Sequence, residues 1–155
     1  MNKTNVMRLL DQAGIAYEAR DYTASKAVSA EDVAKALGED PRVVFKTLVT
    51  VGKSKEHYVF VIPALAELDL KKAASAAGEK NIEMIPQKEL LPLTGYIHGG
   101  CSPIGMHKKF LTFVDESAIL EKKIYVSGGK IGLQVGLAPG DLEKMTDCSF
   151  VPLSL

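Results

Sequence analysis

Nine consecutive residues, Val43 to Val51, are apolar or β-branched except for a single lysine. Such a run predicts a β-strand. Alternation sets Val44, Lys46 and Leu48 on one face and Val43, Phe45, Thr47 and Val49 on the other, so both faces are largely apolar. Gly52-Lys53-Ser54-Lys55 then reads as a turn and Tyr58-Val59-Phe60-Val61-Ile62 as the returning strand of a hairpin. Lys46 is the anomaly in this strand. An ammonium held there is costly unless an anion or a cavity receives it, which points to a phosphate or a polarised carbonyl. The plainer reading is a lysine snorkelling from a strand edge.

The rest of the chain supplies elements to pack against the hairpin. Val6, Leu9, Leu10 and Ala13 fall at helical spacing before Gly14, and Ile15–Ala19 reads as a short strand running out near Tyr22. Ser29 and Gly38 bracket a second helix, and Asp69 and Gly78 bracket a third over Lys71–Ala77. Pro86 opens a short helix across Gln87–Leu91. From residue 94 glycines and short β runs dominate: Phe110–Val114, Ile124–Val126 and Ile131–Leu137. A helix around Leu142–Met145 and a closing strand at Phe150-Val151 follow. Adjacent strands often lack a connecting helix, so the pattern favours α+β with a mixed, curved sheet over a doubly wound parallel one. The 155 residues fit a single domain, 1–155, long enough to bury about 70% of the unfolded chain's surface.

Charge and composition narrow the partners. With 46% hydrophobic and 25% charged residues the chain is globular, and 19 Lys+Arg against 19 Asp+Glu excludes a generic basic nucleic-acid coat but not a local basic patch. The sequence shows no signal peptide and no membrane span, and two cysteines are too few for a disulfide framework, so a cytoplasmic protein is expected.

Two segments echo one another. Tyr96-Ile97-His98-Gly99-Gly100 and Tyr125-Val126-Ser127-Gly128-Gly129 share a Tyr-x-x-Gly-Gly pattern, suited to turns with unobstructed N–H groups or, more plainly, to bulges and hairpin corners. The stretch Gly95–Gly105 is the least core-like in the chain, and it lacks the phosphate-loop spacing. A loop of this kind can present N–H donors to an oxyanion, or it can be a structural turn. Cys101 invites a nucleophile reading, with His98 and His107 near it in sequence, but proximity in sequence does not place a base. The same three residues lack the paired spacing of a metal site, so no metal and no cofactor is expected. His57 reads as solvated, and His107-Lys108-Lys109 would meet a phosphate backbone if it flanked the glycine loop.

Phe45-Lys46-Thr47-Leu48, Gly95-Tyr96-x-x-Gly99-Gly100-x-Ser102-Pro103-Ile104-Gly105 and Tyr125-Val126-Ser127-Gly128-Gly129-x-x-Gly132-Leu133 together resemble the YbaK/EbsC family of aminoacyl-tRNA deacylases, relatives of the prolyl-tRNA synthetase editing domain. The resemblance covers essentially the whole length. It implies an α+β fold with a central mixed, barrel-like sheet flanked by helices. It further implies clearance of Cys-tRNA(Pro), with Cys-tRNA(Cys) as a further substrate, and the aminoacyl-tRNA 3′ end and prolyl-tRNA synthetase as partners. The residue matching the family's principal functional lysine is Lys46, and Tyr22, Gly99 and Ser127 are expected around the pocket. Gly100, Ser102, Pro103 and Gly128 of the same motifs are expected to bind substrate. Where the family often carries an acidic residue, this chain has Gln134, which weakens a role for a carboxylate there. In the cysteine-specific branch the substrate's own thiol attacks its ester, so Cys101 would be a bystander. Editing of alanyl- or seryl-tRNA and a non-enzymatic module binding a nucleotide or amino acid are the alternatives.

Overall fold

The computed structural model describes residues 2–155. The helices sit where their caps place them. Helix α1 (Asn5–Gln12) starts at Thr4, whose hydroxyl accepts from the Met7 N–H, and it buries Val6, Met7 and Leu10. Helix α2 (Ala30–Leu37) is capped by Ser29 and closed by Gly38 in the left-handed conformation. Helix α3 (Leu70–Ala77) is capped by Asp69, which accepts from the Lys71 and Lys72 amides, and Gly78 closes it. The segment after Pro86 divides into a 3-10 turn at Gln87–Glu89 and a short α4 (Leu90–Thr94). Helix α5 (Pro139–Thr146) begins earlier than Leu142 because Pro139 takes a first-turn position.

The strands are β1 (Glu18–Asp21), β2 (Phe45–Gly52), β3 (His57–Pro63), β4 (Ile82–Met84), β5 (Leu111–Asp115), β6 (Ile124–Ser127), β7 (Leu133–Leu137) and β8 (Ser149–Val151). They form two sheets. One has five strands in the order β4-β2-β3-β5-β8, antiparallel around β2 and parallel from β3 to β8; the other is β1-β7-β6, antiparallel throughout. The mixed α+β class expected from the sequence is present, but the sheet does not close into a barrel. The side chains of the two sheets share one core, and a parallel bridge from Val44 to Tyr125 links them by backbone pairing. Strand β1 starts at Glu18, not Ile15, because the Ile15 amide is still held by the Leu10 carbonyl at the end of α1.

A gap follows from the length of β4. It pairs only with Thr50, Val51 and Gly52 of β2, and the Ile85 amide adds a bond to the Val49 carbonyl. Between that point and the Val44–Tyr125 bridge no strand among the described residues pairs with this edge of β2. The main apolar core, containing Val6, Leu10, Phe45, Val59, Leu133 and Leu142, packs behind it. A smaller cluster around Phe60, Ile62 and Leu153 covers the other side of the five-stranded sheet, and a third, with Tyr22, Val33, Leu37 and Tyr125, holds α2 in place.

The segment after β8 is tied down by one carboxylate. Asp115 is 6% exposed and accepts from the Leu153 amide at 3.0 Å, the Ser154 amide at 3.1 Å and the Ser117 amide at 3.2 Å. Burial pushes its pKa upward, but these bonds outweigh it and hold the group below its ordinary 3.8. Asp115→Asn should therefore cost about 1–3 kcal/mol at pH 7. Stability from a lowered carboxylate is full above the unfolded value and fades as pH falls through the folded one. Urea unfolding should accordingly show the gap between wild type and variant closing below pH 3.8.

Candidate active site

The unpaired edge of β2 forms one wall of a cavity of about 340 Å³, near the lower end of ordinary small-molecule sites. Val44 to Val49 line it, with Val28, Ser29, Ala30 and Val33 from the α2 region, Met84, Ile85, Gln87 and Leu90 from the other flank, and His98, Gly99, Cys101, Ser127 and Gln134 opposite. Alternate residues of an antiparallel strand turn their backbone groups to opposite edges. The Val49 carbonyl meets Ile85, so Thr47, two residues earlier, turns its amide and carbonyl to the same edge, where no strand receives them.

The glycine loop is braced from within. The Tyr96 hydroxyl donates to the Ile104 carbonyl, Ser102 Oγ accepts the Ile104 amide at 3.2 Å, and the Gly100 amide reaches the Ile97 carbonyl at 3.0 Å. The two echoed segments lie against each other. A Cβ at Gly100 would stand 2.9 Å from both the Ile131 amide nitrogen and Lys130 Cα, so backbone packs directly on backbone there. Gly99 has φ +87, and a Cβ on it would press to 2.7 Å from Val28 at the cavity wall.

Among the expected site residues, the cavity collects Lys46, Gly99 and Ser127. Tyr22, Gly100, Ser102, Pro103 and Gly128 lie outside its lining. Ser102 is fully buried, and its hydroxyl is used to hold the loop. Gly128 is held on both sides, its amide bonded to the Leu133 carbonyl at 2.9 Å and its own carbonyl accepting from the Thr4 hydroxyl at 2.6 Å. The Ser127 hydroxyl accepts the Gly129 amide at 3.2 Å. His107 packs against Gly95 and Lys109 pairs with Asp147, so this basic stretch does not reach the cavity lining. His57 is half-buried, edge-on to Phe110.

The electrostatics of the lining are one-sided. Lys46 is its only lysine or arginine, no carboxylate lines it, and no ion pair among the described residues includes Lys46. Burial lowers the Lys46 pKa from 10.5, against a smaller opposing pull from Glu67. Burial also pushes the Cys101 thiol up to about 12, which leaves it protonated and a poor nucleophile. Three buried oxygens have no partner in this region: Thr47 Oγ1, Gln134 Oε1 and Tyr22 Oη. In the sequence, Gln134 stands out only as the residue found where the family often carries an acid, after Gly132-Leu133. Among the described residues no group of three metal-ligating side chains gathers.

Residues 24–145 match the aminoacyl-tRNA editing domain, and the chain belongs to that family. A candidate Cys-tRNA(Pro)/Cys-tRNA(Cys) deacylase of Enterococcus faecalis, EbsC, is 46% identical over 153 residues, 98% of this chain and 93% of that protein. Two solved structures share the fold. One, described as a candidate trans-editing enzyme for prolyl-tRNA synthetase, has a TM-score of 0.83 at 22% identity, covering 100% of this chain and 99% of the other. A hypothetical protein gives 0.90 at 22% identity, over 98% and 100%. The family resemblance read from the three motifs is thereby met.

A lysine with a lowered pKa weakens the fold while it stays charged. Lys46→Met should raise Tm at pH 7. Between the lowered folded value and 10.5 the unfolded chain binds more protons, so wild-type stability rises with pH and the advantage of the variant shrinks. Thermal melts from pH 7 to 11 check this, and a constant difference would contradict it.

Proposed function

We propose that this protein hydrolytically clears cysteine from mischarged tRNA, with Cys-tRNA(Pro) as the principal substrate and Cys-tRNA(Cys) as a further one. What carries the reading is a cavity bearing one unpaired cation and a glycine loop but no activated nucleophile. Cys101 is protonated, and the Ser127 hydroxyl already serves as an acceptor within its own turn. A substrate that brings its own nucleophile suits such a site. The cysteine sulfur attacks the ester carbonyl, a C–S bond forms as the C–O bond to the ribose breaks, and the thiol proton passes through water to the departing ribose oxygen. The released thiolactone then opens in water. The protein has only to orient the ester and offset charge on the carbonyl oxygen. The inward-facing Thr47 amide and the glycine-loop amides are the donors for that charge, and Lys46 is the anchor for the terminal nucleotide's phosphate.

Clearance after synthesis is needed because a small difference in side-chain size discriminates by only about 1–3 kcal/mol. The 46% identity to EbsC supports the choice of cysteine. The balanced charge supports contact with the tRNA tip rather than its body, with tRNA choice left to prolyl-tRNA synthetase in the cytoplasm. No helix among the described residues is long and apolar enough to cross a membrane.

Lys46→Ala should lower single-turnover deacylation of Cys-tRNA(Pro) by about a hundredfold or more, while Cys101→Ala should stay within about threefold of wild type. Complete loss with Cys101→Ala, or full activity with Lys46→Ala, overturns these roles. Release of alanine or serine with cysteine spared overturns the substrate.

A further inference from the structure

Gln134 is a buried polar group of the cavity wall that neither the fold nor the reaction above employs. It sits on the middle strand of the three-stranded sheet, opposite Arg20 on β1 and Ser127 on β6. The residue is 5% exposed and lines the cavity, yet its Oε1 has no hydrogen-bond partner. A buried amide carbonyl left without a donor is costly, and an aliphatic side chain at this position would not strand an acceptor. Thr47 Oγ1, also a cavity-lining group, is stranded in the same way. The cavity wall therefore carries two neutral acceptors, Gln134 Oε1 and Thr47 Oγ1, without a donor.

The chemistry of the ligand selects that donor. An aminoacyl ester offers N–H groups on its α-amine and O–H groups on the ribose. The ribose stays joined to the rest of the tRNA and so lies toward the exposed mouth, where Val28 is 41% exposed. The acyl group enters ahead of it and carries the amine. An amide carbonyl accepts from that amine without adding a charge to a lining whose one cation is Lys46. We propose that the Gln134 side-chain carbonyl accepts a hydrogen bond from the substrate's α-amine, so that the cavity selects acyl esters bearing a free α-amine. The inference rests on the deacylase reading.

The test pairs two variants of the enzyme with two acyl groups. Wild type and Gln134→Met, which keeps the side-chain length, are assayed in single turnover on tRNA(Pro) carrying cysteine or 3-mercaptopropionate, which has the thiol and lacks the amine. A third substrate carries cysteine on a tRNA ending in 2′-deoxyadenosine. Gln134→Met should lose about tenfold to a hundredfold in kcat/KM on the cysteinyl ester. It should match wild type within about twofold on the desamino ester, and its Tm should be no lower than that of wild type. Equal losses on both acyl groups, or a lowered Tm, would mean a structural role and overturn the assignment. A loss that disappears with the 2′-deoxy substrate and persists with the desamino one gives Gln134 to the ribose instead, and also overturns it. If wild type cleaves alanyl and not cysteinyl esters, the substrate choice fails separately, and alanyl against propionyl esters gives the same comparison. Wild type inert on every charged tRNA overturns both readings.

Discussion

The ladder between β2 and β3 runs through seven residue pairs, from Phe45–Pro63 to Val51–His57, and it decides which edge of β2 is left over. A full-length partner on that other edge would have sealed the sheet. Instead β4 supplies three residues and stops, and the second sheet bonds to this edge through the Val44–Tyr125 bridge, just before β2 begins. The cavity is the space between those two contacts. Lys46 is tolerated in a strand covered on both faces because this space gives its ammonium somewhere to go. The electropositive character of the site thus follows from a missing stretch of strand pairing as much as from the lysine itself.

Much of this was legible in the chain, and the boundary of legibility has a physical cause. Helix caps at Ser29, Asp69, Gly38 and Gly78 depend on groups three or four residues away, so local sequence places them. The hairpin of β2 and β3 is local for the same reason. The division into two sheets is not, because it turns on where β1, β6 and β7 find one another across more than a hundred residues. A barrel-like sheet was implied by the family resemblance, and the sheet stays open beside a short β4 that carries only Ile82 as a buried residue.

The site shows the same division. Lys46 was visible as a charge in an apolar strand, and the repeated Tyr-x-x-Gly-Gly pattern marked both glycine turns. That those turns meet, backbone to backbone at Gly100 and Lys130, could not be read from either alone. Ser102 and Pro103 carry the motif most visibly, yet they are buried in the loop, so their conspicuousness reflects the loop's own construction. Gln134 was noticed only as a departure from an expected acid. Its interest lies in an unsatisfied oxygen, a property that no sequence pattern displays.

The Thr4 hydroxyl, bonded across 124 positions to the Gly128 carbonyl, joins the start of the chain to the turn that carries Ser127. The cavity draws its walls from residues 28 to 134, and this brace extends its requirements to residue 4. Contacts so distant along the chain close late, since loop-closure entropy must be overcome before they are rewarded. On a growing polypeptide the β2–β3 hairpin can form early, while its unpaired edge remains exposed until β6 and β7 have emerged. The cavity is therefore complete only once β7 has emerged, and before then the same edge is the segment most open to pairing with another chain.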